Sequence, residues 1–306
     1  MTTTFIPYGQ SFFQSRVEDA PVDSDRTTKF RNFMSTHPDQ RKFTAPTIKG
    51  LGTNKWGTAF AVGEQGDPVW KLTGQVPSEV ARLKTSGFCA SHRLADQIQP
   101  TSDAPFVVLD LVNGISVWAA KSKVMGPYTI SVGAAGMYEH KSNGLDKRMT
   151  PFTNSKVNYR SRGAIPDAMV IRADLVKQAI EAGTGLGHVL HMFMVETNTN
   201  DGHCFPMVGH EKGKIGFGAE GERTRIKPEV DLRKRGLSPF GLVIALTWQQ
   251  NGAYFGDNAG QESTFKAEQT SVVFNPWSGT PGGVSDKCLQ GKVLWDDVEC
   301  VKQGWQ

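Results

Sequence analysis

The chain has 306 residues, with 34 lysine and arginine residues against 30 aspartate and glutamate residues, so its formal net charge is +4. A charge this small on a chain this long gives no indication of binding to nucleic acid or to a membrane surface. No apolar run approaches the length that spans a bilayer, so we also expect no membrane insertion. The 33 glycines and 16 prolines occur throughout without a long helical period, which is typical of short strands joined by turns.

The first 55 residues are polar and contain scattered aromatic side chains without a sustained period. This pattern is typical of a segment that lies on a neighbouring protein, so we predict an assembly arm over residues 1–55 and one β-sandwich domain over residues 56–306. The opening residues lack the charged start, apolar core and cleavage site of a secretory signal. We therefore expect the chain to be made in a cytoplasm and not exported by the usual route.

The first half of the domain contains several segments with the composition of β-strands. They cover residues 56–72, 106–111, 115–120 and 128–132, and Asn113-Gly114 is a hairpin signal between the middle two. Five apolar residues of this hairpin are predicted to face one core: Val107, Leu109, Leu111, Ile115 and Val117. The pattern predicts an all-β-dominated fold, a β-sandwich resembling a jelly roll, with two or three short helices.

The second half begins with a helix signal. Apolar side chains repeat on one helical face over Ala173–Ala182, and Gly183 follows as a typical helix stop. The apolar, methionine-rich run over residues 186–195 has the length of a buried strand.

Further along, residues 221–226 alternate charged side chains with small or apolar ones, which predicts a half-exposed strand. The basic stretch over residues 223–235 also contains acidic residues and lacks aromatic ones, so we interpret it as a solvated face. Ser238-Pro239 is a typical helix start and predicts a helix to Gln250. Residues 253–258 are then predicted to form a strand that ends in a turn.

Motifs of the common enzyme classes are missing: the sequence has no HExxH, no P-loop, no GxSxG and no dinucleotide fingerprint, so we predict no cofactor. His188 and His191 are three residues apart, so on a strand they point to opposite faces and only one could serve a site. The alternative for either is a core or interface histidine held by a hydrogen bond. The spacing of His203, Cys204 and His210 matches no familiar site, so we predict no metal.

The four cysteines are Cys89, Cys204, Cys288 and Cys300, and none forms a CxxC pair. This scatter favours free thiols over a zinc site or a disulfide framework. A bridge between Cys288 and Cys300 remains an alternative that geometry decides.

The order of motifs between Arg162 and Gly260 carries a resemblance. A helix is followed by Gly-x-(Ile/Leu)-x-His-Ala-Leu, here residues 183–190, then by Pro-Ala-x-His, here residues 206–210. Gly-x-Arg-x-Arg-Leu-x-Pro-x-x-Asp and Tyr-Gly-x-x-x-x-Asp-Asn-Gly follow, here residues 221–231 and 251–259. This succession resembles a module of minor tail proteins of phages that infect actinobacteria, and of secreted actinobacterial proteins of unassigned function. Within these motifs, Arg223, His210 and Asp257 are the candidate ligand-binding residues.

The resemblance implies a non-enzymatic virion protein, a minor tail or receptor-binding subunit. Its expected partners are other phage tail proteins, further copies of itself in a homo-oligomer, and a host-surface polysaccharide. Large aromatic residues could provide a platform on which sugars stack, although such residues more often belong to a core. They are Trp118, Tyr138, Trp248 and Trp277, of which Trp118 is the candidate binding residue.

The alternative is an enzyme, a tail-borne or secreted polysaccharide depolymerase. Tyr159, Arg160 and His188 have the residue types of a polysaccharide lyase, in which a base removes a proton beside a uronate and an arginine neutralises the carboxylate. A hydrolase would need two carboxylates, and the sequence places no such pair together.

Overall fold

The computed structural model describes residues 6–8, 12–52, 56–145 and 168–305. Within these ranges the chain forms fourteen strands and five α-helices, and none of these helices is both long and apolar enough to cross a membrane. The helices are α1 (Ser24–Thr36), α2 (Arg82–Thr85), α3 (Leu94–Gln97), α4 (Ala173–Ala182) and α5 (Pro239–Gln250). The strands are β1 (Thr47–Lys49), β2 (Ala59–Gly63), β3 (Val69–Gly74), β4 (Phe88–Cys89), β5 (Phe106–Asp110), β6 (Ile115–Ala120), β7 (Lys123–Gly126), β8 (Thr129–Val132), β9 (Ala134–Glu139), β10 (Leu190–Met194), β11 (Arg223–Ile226), β12 (Ala253–Asn258), β13 (Thr264–Lys266) and β14 (Val298–Cys300).

The strands form three sheets with parallel and antiparallel neighbours. The largest has the order β1-β13-β10-β12-β11-β14, and two four-stranded sheets have the orders β2-β5-β6-β9 and β4-β3-β8-β7. The pairs β1/β13, β10/β12, β2/β5 and β3/β8 are parallel. The prediction of a mostly-β fold is confirmed, whereas the jelly-roll arrangement is not.

The predicted hairpin is confirmed. β5 and β6 are antiparallel, Asp110 lies opposite Ile115, and Gly114 has a φ of +64°, which suits a tight turn. The segment predicted as one strand over residues 56–72 contains two strands, β2 and β3. Gly66, with a φ of +98°, lies in the turn between them.

The hairpin does not face one core as predicted. Val107, Leu109 and Leu111 pack on one side of the sheet, whereas Ile115 and Val117 pack in a separate apolar cluster on the other side. Successive side chains of a strand point to opposite faces, and here both faces are covered. The prediction was wrong because Leu109 lies opposite Ser116, so the residues on either side of Ser116 point to the other face.

Helix α1 and strand β1, which lie within residues 1–55, contribute to the largest apolar cluster. Phe30 and Met34 of α1 and Ile48 of β1 are fully buried in that cluster. β1 pairs with β13 in the six-stranded sheet, and the Asp23 side chain caps α1 by accepting a hydrogen bond from the Arg26 amide. This part of the predicted arm is therefore built into the domain, and its contact with a neighbouring protein stays a prediction.

Both predicted helices of the second half are confirmed. α4 is followed by Gly183, which has a φ of +67°. The Gly183 amide donates a hydrogen bond to carbonyl oxygens of the last helical turn, those of Ala179 and Ile180. α5 begins with Pro239 at its first position, and the Ser238 hydroxyl accepts a hydrogen bond of 3.2 Å from the Gly241 amide.

Replacing Ser238 by alanine is expected to lower the free energy of unfolding by about 1 kcal/mol, because the Gly241 amide loses its partner at the start of α5. Urea unfolding of the two proteins measures the difference. Ser102→Ala, at an exposed position outside any helix, is the control and should leave the midpoint unchanged. Equal midpoints for all three proteins would contradict a stabilising cap.

The strand β11 corrects two predictions. All four of its residues are buried, so the strand is not half-exposed as predicted. The basic stretch over residues 223–235 is therefore not a solvated face along its whole length. Arg223 donates to the carbonyl oxygens of Asn251 and Ser15, and Arg225 pairs with Glu299 at 2.7 Å. Buried arginines are tolerated because their donors are satisfied by such partners.

The cysteines are free thiols in the structure, so Cys288 and Cys300 are not bridged. Burial raises the pKa of the Cys288 thiol to about 12, which keeps it protonated and unreactive at neutral pH.

Candidate ligand-binding cleft

A cleft of about 390 Å³ opens between the six-stranded sheet and the sheet that contains β5, β6 and β9. Its volume is in the range of about 300 to 1,000 Å³ that is common for ligand pockets. One wall is formed by β5, β6 and β9, and the other by β10, β12 and β13. Its polar lining residues are Thr58, Asp103, Lys121, His191, Glu211, Asp257, Asn258 and Lys266.

Alternation along β10 brings two aromatic rings to the cleft. Leu190, Met192 and Met194 point into the main core, and His191 and Phe193 point to the opposite side, where both line the cleft. Their ring centroids are 4.2 Å apart and the ring planes are inclined by 29°, so the two rings are stacked. Each ring therefore covers one face of the other and restricts its movement in the wall.

A β-bulge at Gly256 determines what β12 presents to the cleft. Met192 lies opposite Phe255 and Phe193 lies opposite Asp257, so Gly256 is an extra residue between the two pairs. A Cβ atom on Gly256 would lie 1.8 Å from Nε2 of His191, so the imidazole packs directly on this backbone. The extra residue turns Asp257 towards the cleft, where strict alternation would have turned it to the core.

Charged and amide groups surround these rings. Nζ of Lys266 lies 4.0 Å from the centroid of the Phe193 ring, a cation–π contact. Nδ2 of Asn258 donates to Oε2 of Glu211 at 2.5 Å, and the Asn258 side chain is fixed in turn by the amide of Thr197 at 2.7 Å. The Glu211 amide donates to Oε1 of Glu220 at 2.9 Å. Two cleft residues, Glu211 and Asn258, are thus held by bonds to one another and to their neighbours.

Trp118 lines the cleft from β6, with 4 % of its surface exposed. This exposure suits a contribution to an apolar wall and leaves little of an open stacking face. Tyr138, Trp248 and Trp277 are equally buried, and each packs in an apolar cluster. Of the four aromatic residues proposed for sugar stacking, Trp118 is the one that lines the cleft.

His188 lies elsewhere, fully enclosed just before β10. It has 2 % exposure, and its Nδ1–H donates to the Val189 carbonyl oxygen at 2.9 Å. Burial lowers the pKa of His188 to about 4, so the ring is neutral at neutral pH. The strand begins only at Leu190, after Gly187 with its φ of +78°, so strand alternation does not extend to His188. Of the two histidines, His191 is the one that lines the cleft.

The other predicted site residues are dispersed. Tyr159 and Arg160 lie outside the described residues. Arg223 is 3 % exposed, and its guanidinium group lies 5.0 Å from the centroid of the Tyr254 ring, so its surroundings are those of a structural residue. Asp257 lines the cleft as predicted for a ligand-binding residue, although its role there stays a prediction.

His210 is half-buried in the loop that carries Glu211, and its Nδ1 lies 3.1 Å from Nδ1 of His203. One ring must donate and the other accept at this distance. In the described part of the chain, no group of three or more His, Cys, Asp or Glu side chains is placed to hold a metal ion. The pair orders the loop beside Glu211.

Several cleft residues have no local signal in the sequence. Asp103, Lys121 and Lys266 are single charged residues in segments of mixed composition, and Glu211 lies in a loop. They meet because β6, β12 and β13 come together from distant parts of the chain. Comparison with protein-family models, curated proteins and solved structures finds no significant match to this chain.

Proposed function

We propose that the chain is a non-enzymatic structural protein of a bacteriophage virion, a minor tail or receptor-binding subunit, and that its cleft binds a glycan of the host surface. The proposal of a glycan ligand rests on the composition of the cleft, in which carboxylate, amide and ammonium groups line the same cavity as aromatic side chains. The virion setting rests on the resemblance of residues 183–259 to tail-protein modules.

The chemistry of the cleft suits a sugar. Each sugar hydroxyl both donates and accepts hydrogen bonds, and the cleft offers acceptors in Asp257 and Glu211 and donors in Lys121 and Lys266. Hydrogen bonds to charged groups are about twice as strong as those between neutral groups. Apolar parts of a sugar would contact the portions of Trp118 and Phe193 that line the cleft. Binding of this kind needs no cofactor.

The proposal extends to assembly and architecture. We propose that the protein acts as a homo-oligomer attached to other tail proteins in the virion. For the fold, we propose a sandwich-like arrangement of the two sheets that enclose the cleft, joined by an apolar cluster that includes Phe60, Trp118 and Tyr254. The parallel strand pairs distinguish this arrangement from a regular jelly roll.

Size-exclusion chromatography with light scattering, on mixtures of the protein with polysaccharides extracted from actinobacterial cell envelopes, tests the proposal. We expect co-elution at unchanged polysaccharide mass. Asp257→Asn preserves the shape of the side chain but removes its charge, and should weaken binding about tenfold or more. The control is Asp231→Asn, at an exposed position outside the cleft, which should bind as the wild type does. Absence of co-elution with every envelope extract would overturn the glycan-binding role.

A polysaccharide depolymerase is the second candidate. The observation in its favour is that the cleft contains His191 together with Asp103, Glu211 and Asp257, which are residue types of acid–base catalysis. The buried position of His188 gives this candidate no support. A fall in polysaccharide mass in the same experiment, absent in His191→Ala, would favour the enzyme over the receptor-binding subunit.

A further inference from the structure

Asn258 is the last residue of β12 and lines the cleft together with Glu211. Its Oδ1 accepts a hydrogen bond of 2.7 Å from the Thr197 amide. Its Nδ2 donates to the Thr197 hydroxyl at 3.0 Å and to Oε2 of Glu211 at 2.5 Å. A side-chain amide has two donor hydrogens, so both donors of Asn258 are used within the protein.

The two ends of the Asn258 amide are not interchangeable. The Thr197 backbone amide can only donate, so Oδ1 faces it, and an ionised carboxylate can only accept, so Nδ2 faces Glu211. A flipped Asn258 side chain would lose both bonds. The oxygen of Asn258 therefore holds the backbone that follows β10, and its nitrogen holds the carboxylate of Glu211.

Glu211 lies in the long connection between β10 and β11, and other bonds within this loop hold its backbone. Its amide donates to Oε1 of Glu220 at 2.9 Å, and its carbonyl oxygen accepts a bond of 3.0 Å from the Thr199 hydroxyl. Nζ of Lys214 lies 3.9 Å from Oε2 of Glu211, a longer contact than the 2.5 Å from Asn258. The bond from Asn258 thus joins a carboxylate of the loop to the sheet that forms one wall of the cleft.

We propose that Asn258 is a positioning residue, which fixes the Glu211 carboxylate in the cleft so that Glu211 accepts a hydrogen bond from a hydroxyl group of the glycan. This inference rests on the proposed glycan-binding function and gives the two neighbours different roles. Glu211 contacts the ligand, whereas Asn258, whose donor hydrogens are already used, acts through Glu211. A side chain that is held in place before binding loses less conformational entropy when the ligand binds.

A double-mutant cycle tests this role, with titration calorimetry on the envelope polysaccharide that co-elutes with the wild type. Asn258→Asp keeps an oxygen for the Thr197 amide but places a second carboxylate against Glu211, so it should weaken binding about tenfold or more. Glu211→Gln can still accept the bond from Asn258 through its carbonyl oxygen. It loses the charge but keeps the position, and should weaken binding about fivefold. In the double variant the introduced glutamine can donate to the introduced aspartate, so Asn258→Asp should cause no further loss of affinity in the Glu211→Gln background.

The outcomes separate this role from the glycan-binding function. If the wild type binds no envelope polysaccharide, the glycan-binding function itself is overturned. An unchanged affinity in either single variant, or an equal loss from Asn258→Asp in both backgrounds, overturns the positioning role while the glycan site in the cleft stands. Thermal unfolding checks that each variant is folded. If Asn258→Asp alone does not fold, the double variant is compared with Glu211→Gln: equal affinities support the role, and weaker binding of the double variant overturns it.

Discussion

Replacing Gly256 by alanine is expected to lower the free energy of unfolding by about 3 kcal/mol and to abolish the glycan binding that we propose for the cleft. The new methyl group would lie 1.8 Å from Nε2 of His191, a separation that no pair of non-bonded atoms tolerates. His191 is 6 % exposed and stacked on Phe193, so it has little room to move aside. Overpacking at such a site costs about 1 to 3 kcal/mol or more, and the displaced ring would lie in the cleft.

Urea unfolding and polysaccharide co-elution measure the two effects. Gly126→Ala is the matched control, because nothing lies within 4 Å of a Cβ atom placed there, and it should retain both stability and binding. The double variant Gly256→Ala/His191→Ala removes the colliding ring and is expected to be more stable than Gly256→Ala alone. A Gly256→Ala protein as stable as the wild type would contradict the close packing of His191 on the bulge.

The parts of the fold that the sequence predicted have local causes. The Ser238-Pro239 pair is a complete helix start by itself, and Asn113-Gly114 is a complete hairpin signal. The pairing of β1 with β13 has no such signal, since Thr47 and Thr264 lie opposite one another but are more than two hundred positions apart. Long-range pairings of this kind are determined by packing of the whole core, so the order of strands in the sheets could not be predicted.

The burial of charged side chains was predicted least well, because it depends on hydrogen-bond acceptors from other parts of the chain. Arg223 and Arg225 alternate with small residues, as an edge exposed to solvent would, yet both are buried. Their surroundings are main-chain oxygens of residues 15, 17 and 251 and the carboxylate of Glu299. The sequence shows the charges and does not show the acceptors, which come from distant segments.

The residues that line the cleft were also only partly predictable from the sequence. Asp257 and Trp118 were candidate ligand-binding residues and both line it, but the candidate base was His188, whereas the strand that brings His191 to the cleft begins only at Leu190. The bulge at Gly256 also has no periodic signature, since it adds one residue to an otherwise regular strand. A shift of one or two positions decides which side chains reach the cavity.

Replacing Glu268 by glutamine is expected to remove a loss of stability that the wild type undergoes as the pH rises. The free energy of unfolding of the variant, relative to that of the wild type, should increase by about 3 kcal/mol between pH 5 and pH 8.5. Glu268 is 7 % exposed, and its carboxyl oxygens accept hydrogen bonds from the Ala173 amide at 3.1 Å and from Nε2 of Gln97 at 3.4 Å. Burial raises the pKa of Glu268 from 4.5 to about 7, and the charge of Asp174 acts in the same direction, against the bond from Ala173.

The direction of this change in stability with pH follows from the number of protons bound by the folded and the unfolded protein. Between pH 4.5 and about 7 the folded protein keeps a proton that the unfolded chain releases, so this stabilisation is complete below pH 4.5 and is lost as the pH rises through 7. A rise from 4.5 to about 7 corresponds to about 3 kcal/mol. Glutamine does not titrate, so the variant avoids the loss. His140 and His188, whose pKa values are lowered to about 4, act oppositely as the pH falls from 6.5, but they are common to both proteins.

Urea unfolding of the wild type and Glu268→Gln at pH 5 and pH 8.5 gives the difference directly, because the histidine contributions cancel in it. Glu262→Gln is the control of opposite sign. The ammonium group of Lys49, 2.7 Å away, and further hydrogen bonds outweigh burial and lower the pKa of Glu262, so its carboxylate stabilises the folded state at both pH values. That variant should be less stable than the wild type by a constant amount. Stability curves for Glu268→Gln that run parallel to the wild type would show that Glu268 ionises in the folded protein as it does in the unfolded chain.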